Sequence, residues 1–273
     1  MNLKELHKQW WVWVIVSTLL ISVVMVAGIV IYHNVKSTGG DVVSNEYSQE
    51  NDVKDFEYSI GDNGVTITGY TGKSKDVVIP ASIEGRPVVA IGDKAFFSNE
   101  LTSVTIPNSV RTIGSEAFAY NKLTNVIIGN LVTTIGGYAF IRNQLTNVTI
   151  PNSVRTIGEN AFNGNQLTNV TIGNSVTTIG ASAFSYNKLT NIIIPNSVKT
   201  IEFEAFRNNE PTNITIGNSV ISIACCAFGD NELTSVTIPD SVETMASCSF
   251  WPVDNIIIPD SVKIIEIVKF MGQ

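Results

Sequence analysis

The sequence predicts an α+β repeat solenoid, built from short strands and short helical turns and preceded by one transmembrane helix. Two observations support this prediction: an Ala-Phe pair that recurs every 22 residues, and an uncharged apolar segment near the N-terminus. A constant period of this size is typical of stacked coils, in which each coil contacts mainly its neighbours. The pairs are Ala95-Phe96, Ala117-Phe118, Ala139-Phe140, Ala161-Phe162, Ala183-Phe184, Ala205-Phe206 and Ala227-Phe228.

The apolar segment, residues 10–32, predicts a transmembrane signal anchor. It contains no charged residue and is 23 residues long, whereas about 20 apolar residues are enough for a helix to cross a bilayer. Lys4 and Lys8 precede it, which favours a cytoplasmic N-terminus at residues 1–9 and an extracellular C-terminal domain. The alternative is a cleaved signal peptide, although its apolar core should be only about 7–15 residues long.

Three further regions follow the anchor. Residues 33–57 are rich in Ser, Asn, Gly and acidic residues without periodicity, which predicts a flexible acidic stalk. Residues 58–100 predict an N-terminal cap and a first divergent repeat, because Tyr58–Ile60 and Val65–Thr68 flank a Gly-Asp-Asn-Gly turn and indicate a β-hairpin. Residues 101–273 are predicted to form the repeat array itself.

One unit, residues 123–144, shows how each coil is expected to fold. Leu123, Val126 and Ile128 have the L-x-x-L-x-L spacing of a leucine-rich repeat strand, and the alternation of strand side chains directs Val126 and Ile128 to the core. A Pro or Gly after each strand turns the chain out of the sheet. The Ala-Phe pair is expected to close the coil on a short helical turn, with the Phe ring inside. A column of Asn residues at the following bend is expected to bond backbone groups of the adjacent coil.

The recurring string I-P-x-S-V-x-x-I-G-x-x-A-F resembles the BspA-like leucine-rich repeat family of surface proteins. The resemblance extends over about residues 56–270. It implies a curved solenoid used at the cell surface for adhesion to host, matrix or other cells. The chain departs from the pattern in two ways. Many relatives have Cys where this chain has the Asn column. The last units also diverge from the repeat, with Pro211 in place of Leu and Met245 in place of Ile.

The sequence offers little material for catalysis. His7 and His33 are the only histidines and neither lies in the array, so a Ser-His-Asp arrangement and a His-containing zinc site are excluded there. The acidic residues are scattered over different columns of the repeat, which implies no carboxylate pair for acid–base chemistry. We therefore expect no enzyme activity, no cofactor and no metal. The net charge of −7 and the absence of a basic stripe argue against nucleic acid as a partner.

A disulfide is possible between Cys226 and Cys248. These cysteines are 22 residues apart and so share a column in adjacent coils. Adjacent strands lie about 4.7–4.9 Å apart, which suits the Cα separation of about 4.4–6.8 Å in disulfides. The alternative is that they are, like Cys225, ordinary small residues in a drifting repeat.

The outward strand positions form the candidate ligand-binding surface. This surface is uncharged and repetitive, without the Trp, Tyr and Arg anchors of tight protein interfaces. It therefore favours weak, multivalent contact with a repetitive target such as a polymer. Alternatively, the surface only carries the family consensus and the contacts lie elsewhere. The predicted ligand-binding residues are Asn125, Asn147, Thr149, Asn169, Thr171, Asn191, Asn213 and Thr215.

Together these features predict a single-pass protein of the cell membrane, held by residues 10–32, whose extracellular array binds or adheres to protein or polysaccharide partners at the cell surface. One alternative is a structural spacer or scaffold in a cell-envelope complex, without a ligand of its own. Another is a face that binds an ordered lattice, such as ice or a crystalline polysaccharide.

Overall fold

The computed structural model describes residues 51–253 and 256–265. The predicted cytoplasmic N-terminus (1–9), the predicted membrane anchor (10–32) and most of the predicted stalk lie outside these residues. Among the helices of the described part, none combines the length and the apolar character that a membrane crossing requires.

The array is a β-solenoid, so the prediction of an α+β fold with helical turns is wrong. In the described residues the only helix is a single 3-10 turn, Val53–Asp55. The Ala-Phe pairs do not form helical turns because left-handed residues flank them, as Glu116 (φ 54°) and Tyr120 (φ 56°) do around Ala117-Phe118. A left-handed residue ends a right-handed helix. The backbone instead bonds to the next coil, where the N–H of Phe118 donates to the C=O of Ala139 over 2.8 Å.

The predicted N-terminal hairpin is confirmed. Strands β1 (Phe56–Gly61) and β2 (Gly64–Tyr70) are antiparallel and joined by a two-residue loop. Next come β3 (Asp76–Val78), β4 (Ser82–Ile83) and β5 (Arg86–Ile91). Because β2 pairs with β5 on one side and β1 on the other, the hairpin covers the first edge of the solenoid sheet. An uncovered edge would present unpaired backbone groups.

From Leu101 onward, each coil contributes two short strands that stack on their counterparts in the adjacent coils. In chain order they are β6 (Ser103–Thr105), β7 (Thr112–Ile113), β8 (Asn125–Ile127), β9 (Thr134–Ile135), β10 (Asn147–Thr149), β11 (Thr156–Ile157), β12 (Asn169–Thr171), β13 (Thr178–Ile179), β14 (Asn191–Ile193), β15 (Thr200–Ile201), β16 (Asn213–Thr215), β17 (Ser222–Ile223), β18 (Val236–Thr237), β19 (Thr244–Ala246), β20 (Ile256–Ile257) and β21 (Lys263–Ile265).

The odd-numbered strands from β5 to β21 extend the hairpin into one sheet, here named the long sheet. Its parallel register places equivalent residues side by side, as in Ile135 beside Ile157. Strand β3 and the even-numbered strands from β6 to β20 form the second side of the solenoid, here named the strand face. Unlike the long sheet, the strand face is divided into separate groups of strands.

The core between the two sides contains a continuous column of Phe rings. Phe162 is fully buried, and its ring centroid lies 5.2 Å from that of Phe140 and 5.4 Å from that of Phe184. Val and Ile side chains from both strands of each coil complete the core. The prediction that the Phe ring fills the interior is confirmed.

The Asn column is structural, as predicted. The Oδ1 of buried Asn165 accepts from the N–H of Leu145 (3.1 Å), and its Nδ2 donates to the C=O of Phe140 (2.9 Å) and of Phe162 (3.1 Å). One amide side chain thus satisfies backbone groups of its own coil and of the preceding coil. The same arrangement recurs at Asn121, Asn143, Asn187 and Asn209.

Candidate functional site

The predicted ligand-binding residues all lie exposed on the strand face. Strand β10 shows the pattern: Asn147 and Thr149 face outward while Val148 is buried between them. Parallel pairing aligns these residues with their counterparts, as with Asn147 beside Asn169 and Thr149 beside Thr171. The structure therefore arranges the predicted residues in rows, and their role in binding stays a prediction.

The strand face is not a uniform sheet, because its strands are bonded in groups. The groups are β3-β6-β8, β10-β12, β14-β16 and β18-β20. Within a group, the N–H of Thr124 donates to the C=O of Thr102 over 2.9 Å, and that of Thr168 to Thr146 over 2.9 Å. Between groups, no bond from Thr146 N–H to Thr124 C=O exists in the described residues. Equivalent contacts therefore alternate with a period of two coils, or 44 residues.

Two further contacts repeat the same alternation. The N–H of Ile106 donates to Ile127 C=O (2.8 Å) within a group, whereas no backbone or side-chain bond from Ile128 N–H is found in the described residues. The Oδ1 of Asn108 accepts from the N–H of Asn130 (2.8 Å), and this bond recurs 44 residues later between Asn152 and Asn174 (2.9 Å).

Burial of the core isoleucines follows the same period. The isoleucines that follow a strand with a bonded partner in the next coil are 1–2% exposed, and those that follow the last strand before a boundary between groups are 6–7% exposed. The first set is Ile106, Ile150, Ile194 and Ile238, and the second set is Ile128, Ile172 and Ile216.

The residue after each strand accounts for the grouping in the middle of the array. Pro107, Pro151 and Pro195 alternate with Gly129, Gly173 and Gly217. A Cβ at Gly129 would clash with the carbonyl oxygen of Pro107, so the coil with Gly packs closely on the preceding coil with Pro. The next coil begins again with Pro, whose ring fills space and whose nitrogen has no hydrogen to donate. Two pairs depart from the rule, because Pro107 follows the second strand of the β3-β6 pair and Pro259 follows the second strand of the β18-β20 pair.

A cleft opens where two groups meet. The cleft between β8 and β10 has a volume of about 340 Å³ and is lined by residues 125–128, Asn130, residues 147–149 and Pro151. Only Asn125, Asn147 and Thr149 of this lining were predicted as ligand-binding. The sequence analysis missed the apolar floor and Pro151, although the alternation of Pro and Gly was the signal that could have revealed them.

The predicted pairing of Cys226 with Cys248 is wrong, because Cys248 forms its disulfide with Cys225. Cys226 has the left-handed conformation (φ 54°), which Cys248 does not adopt, so the two side chains are directed differently despite their shared column. The Sγ of Cys226 lies 3.3 Å from that of Cys225. All three sulfurs lie within 4.8 Å of one another, so in a reduced form they would be a group suited to a soft metal ion.

A cluster of charged side chains adjoins these cysteines. The Nε of Arg207 donates to Asp230 over 2.7 Å, and its guanidinium also pairs with Glu204. Burial opposes the charge of Arg207, but the bonds to both carboxylates outweigh it and raise its pKa. Burial raises the pKa of the Cys226 thiol, which disfavours the thiolate that nucleophilic chemistry requires.

The solved structures similar to this chain are bacterial leucine-rich repeat proteins. A leucine-rich repeat protein from Bacteroides ovatus is 24% identical, with 81% of this chain and 67% of that chain covered and a TM-score of 0.50. A T. pallidum leucine-rich repeat protein is 26% identical, with 79% and 86% covered and a TM-score of 0.44. The pneumococcal vaccine antigen PcpA is 17% identical, with 78% and 87% covered and a TM-score of 0.45.

No curated protein is significantly similar to the chain. The model of the BspA type leucine-rich repeat region matches residues 89–212 and 201–272, in six copies, which is more than half of the sequence. The chain therefore belongs to the BspA-type leucine-rich repeat family.

Proposed function

We propose that this protein is a membrane-anchored cell-surface protein that binds or adheres to protein or polysaccharide partners through its strand face. The main support is the row of exposed Asn and Thr side chains, held in register on strands whose other side is buried. A surface of identical small polar groups on a rigid support suits a ligand that itself repeats, since weak contacts add up along it. The apolar segment at residues 10–32 supplies the anchor in this proposal.

Location is tested by protease treatment of intact cells that carry a C-terminal tag on the full-length chain. Loss of the tag on intact cells is expected for an extracellular array. A tag that becomes sensitive only after lysis would contradict the proposal and would favour a scaffold inside the envelope.

Binding is tested with the full-length chain in detergent, against immobilised matrix proteins and immobilised polysaccharides. Thr149→Trp places a bulky ring on the strand face and should abolish binding. Arg155→Trp, an equally bulky change at an exposed position beside the long sheet, is the matched control and should leave it intact. If both variants lose binding equally, or if neither loses it, the contact does not lie on the strand face.

A further inference from the structure

The boundaries between groups on the strand face have a regular spacing. They fall at β8/β10, at β12/β14 and at β16/β18, three positions separated by 44 residues, and the cleft lies at the first of them. Stacked strands lie about 4.8 Å apart, so successive boundaries lie about 10 Å apart along the solenoid. The Phe rings of the core, at 5.2–5.4 Å per coil in mid-array, agree with a two-coil step of this size.

The first cleft combines an apolar floor with polar groups on both sides. Val126, Ile128 and Pro151 provide the floor, and Asn125, Asn147 and Thr149 provide amides and a hydroxyl. Its volume of about 340 Å³ lies at the lower end of the range for small-ligand sites, about 300–1,000 Å³.

One backbone bond is missing at the cleft. By analogy with Ile106, the N–H of Ile128 would donate to the C=O of Thr149 across the boundary between β8 and β10, and this bond is not found in the described residues. Backbone groups that have no protein partner are strong hydrogen-bonding sites. A donor and an acceptor that face the same opening are complementary to the C=O and N–H of an amide on a ligand.

The uncharged lining of the cleft limits the classes of ligand that can bind there. No charged side chain lines the cleft between β8 and β10. An anionic polymer requires Lys or Arg to bind its charges, so nucleic acid and acidic polysaccharides do not fit this cleft. An uncharged ligand with hydroxyl and amide groups does fit it.

The spacing of about 10 Å along the solenoid favours an extended polysaccharide over an extended polypeptide as the ligand. An extended polypeptide repeats its side-chain direction every two residues, or about 6.7 Å, and would fall out of step with boundaries about 10 Å apart. In an extended β-1,4-linked polysaccharide each sugar is turned over relative to the previous one. One side of that chain therefore presents the same substituent once per disaccharide. The length of a disaccharide is close to the two-coil step of the solenoid.

We propose that the strand face binds an extended β-1,4-linked polysaccharide of N-acetylated amino sugars, with one acetamido group at each boundary between groups. The acetamido methyl packs on the apolar floor, and its amide bonds to the open backbone groups and to the Asn side chains. This inference rests on the proposed function and specifies its ligand. The binding mode predicts that affinity depends on the number of disaccharides and not on the number of single sugars.

The test is titration of the full-length chain in detergent with β-1,4-linked oligomers of N-acetylglucosamine containing two to six sugars. Affinity should rise by about tenfold or more with each added disaccharide, and little with each odd sugar. Asn191 occupies at the β12/β14 boundary the position that Asn147 occupies at the β8/β10 cleft, so Asn191→Trp should reduce the affinity for the six-sugar oligomer to about that for the two-sugar oligomer. Ser103→Trp is the matched control, because Ser103 lies on the same face in β6, which pairs with β3 on one side and β8 on the other, and it should change nothing.

The outcomes separate this inference from the proposed function. Equal affinity for cellohexaose, which lacks acetamido groups, would overturn the inference, and so would affinity that increases uniformly with each sugar or is unaffected by Asn191→Trp. Binding to a matrix protein together with no binding to any oligomer would overturn the inference and leave the proposed function standing. An array that is not extracellular and binds no immobilised partner would overturn both.

Discussion

The long sheet and the strand face are built from the same coils but follow different periods. In the long sheet every coil bonds to the next: the N–H groups of Gly136, Gly158 and Gly180 donate to the preceding coil over 2.8, 2.9 and 3.0 Å. On the strand face the equivalent bonds are present at one coil boundary and absent at the next. The long sheet and the Phe column thus maintain the stack, and this leaves the strand face free to open at every second boundary.

The largest effect is expected on the side that maintains the stack. Phe162→Ala removes a fully buried ring that stacks on two others, and the cavity should lower the free energy of unfolding by about 3–5 kcal/mol. Denaturant unfolding of the full-length chain measures this change. Thr149→Ala on the strand face is the control and should stay within about 0.5 kcal/mol, since Thr149 is exposed. Similar losses for both variants would contradict the division of roles.

A smaller effect is expected from the Asn column. Asn165→Ala leaves the N–H of Leu145 and the C=O of Phe140 and Phe162 without their side-chain partner. Each unsatisfied buried group costs about 1–3 kcal/mol, and partial hydration of the new space reduces the sum, so a loss of about 2–3 kcal/mol is expected in the same unfolding measurement. Gln166→Ala, at an exposed neighbouring position, should have little effect. A stable Asn165→Ala variant would show that the column has a role other than satisfying the backbone.

Substitutions at two glycines test the cause of the grouping of strands on the strand face. Gly129→Ala introduces a Cβ against the carbonyl oxygen of Pro107, so the coils must separate, and a loss of about 1–3 kcal/mol is expected. At Gly137 the nearest atom to a new Cβ is 3.4 Å away, so Gly137→Ala should be close to neutral. Thermal unfolding of the two variants is the measurement. If both glycines tolerate Ala equally, close packing at Gly129 is not what pairs the coils.

The sequence was a good guide to which side chains of each coil face the core. The Phe column, the inward Val and Ile residues and the Asn column follow from residue type and spacing, because each position has the same neighbours in every coil. The N-terminal hairpin follows from its turn residues and the strand patterns that flank them. The predicted rows of Asn and Thr are also present and exposed, although their binding role stays a prediction.

Three features were not predicted, each for a physical reason. The Ala-Phe turns are not helical as predicted, because left-handed residues such as Glu116 are not recognisable from residue type, since Glu rarely adopts that conformation. The disulfide was assigned to Cys226 from column position alone, which does not fix side-chain direction. The cleft between β8 and β10 was not predicted because Pro and Gly both serve as turn residues after a strand, whereas Gly129 in addition admits the close approach of the preceding coil.

The central claim, that the two sides follow different periods, is tested most directly by amide hydrogen exchange on the isotope-labelled full-length chain, measured by NMR. On the strand face, the N–H groups of Ile106, Ile150 and Ile194 should be protected, while those of Ile128, Ile172 and Ile216 should exchange quickly. In the long sheet, Gly136, Gly158 and Gly180 should be protected alike. Uniform protection of all six isoleucines would contradict the account, because it would mean that the strand face is as continuous as the long sheet.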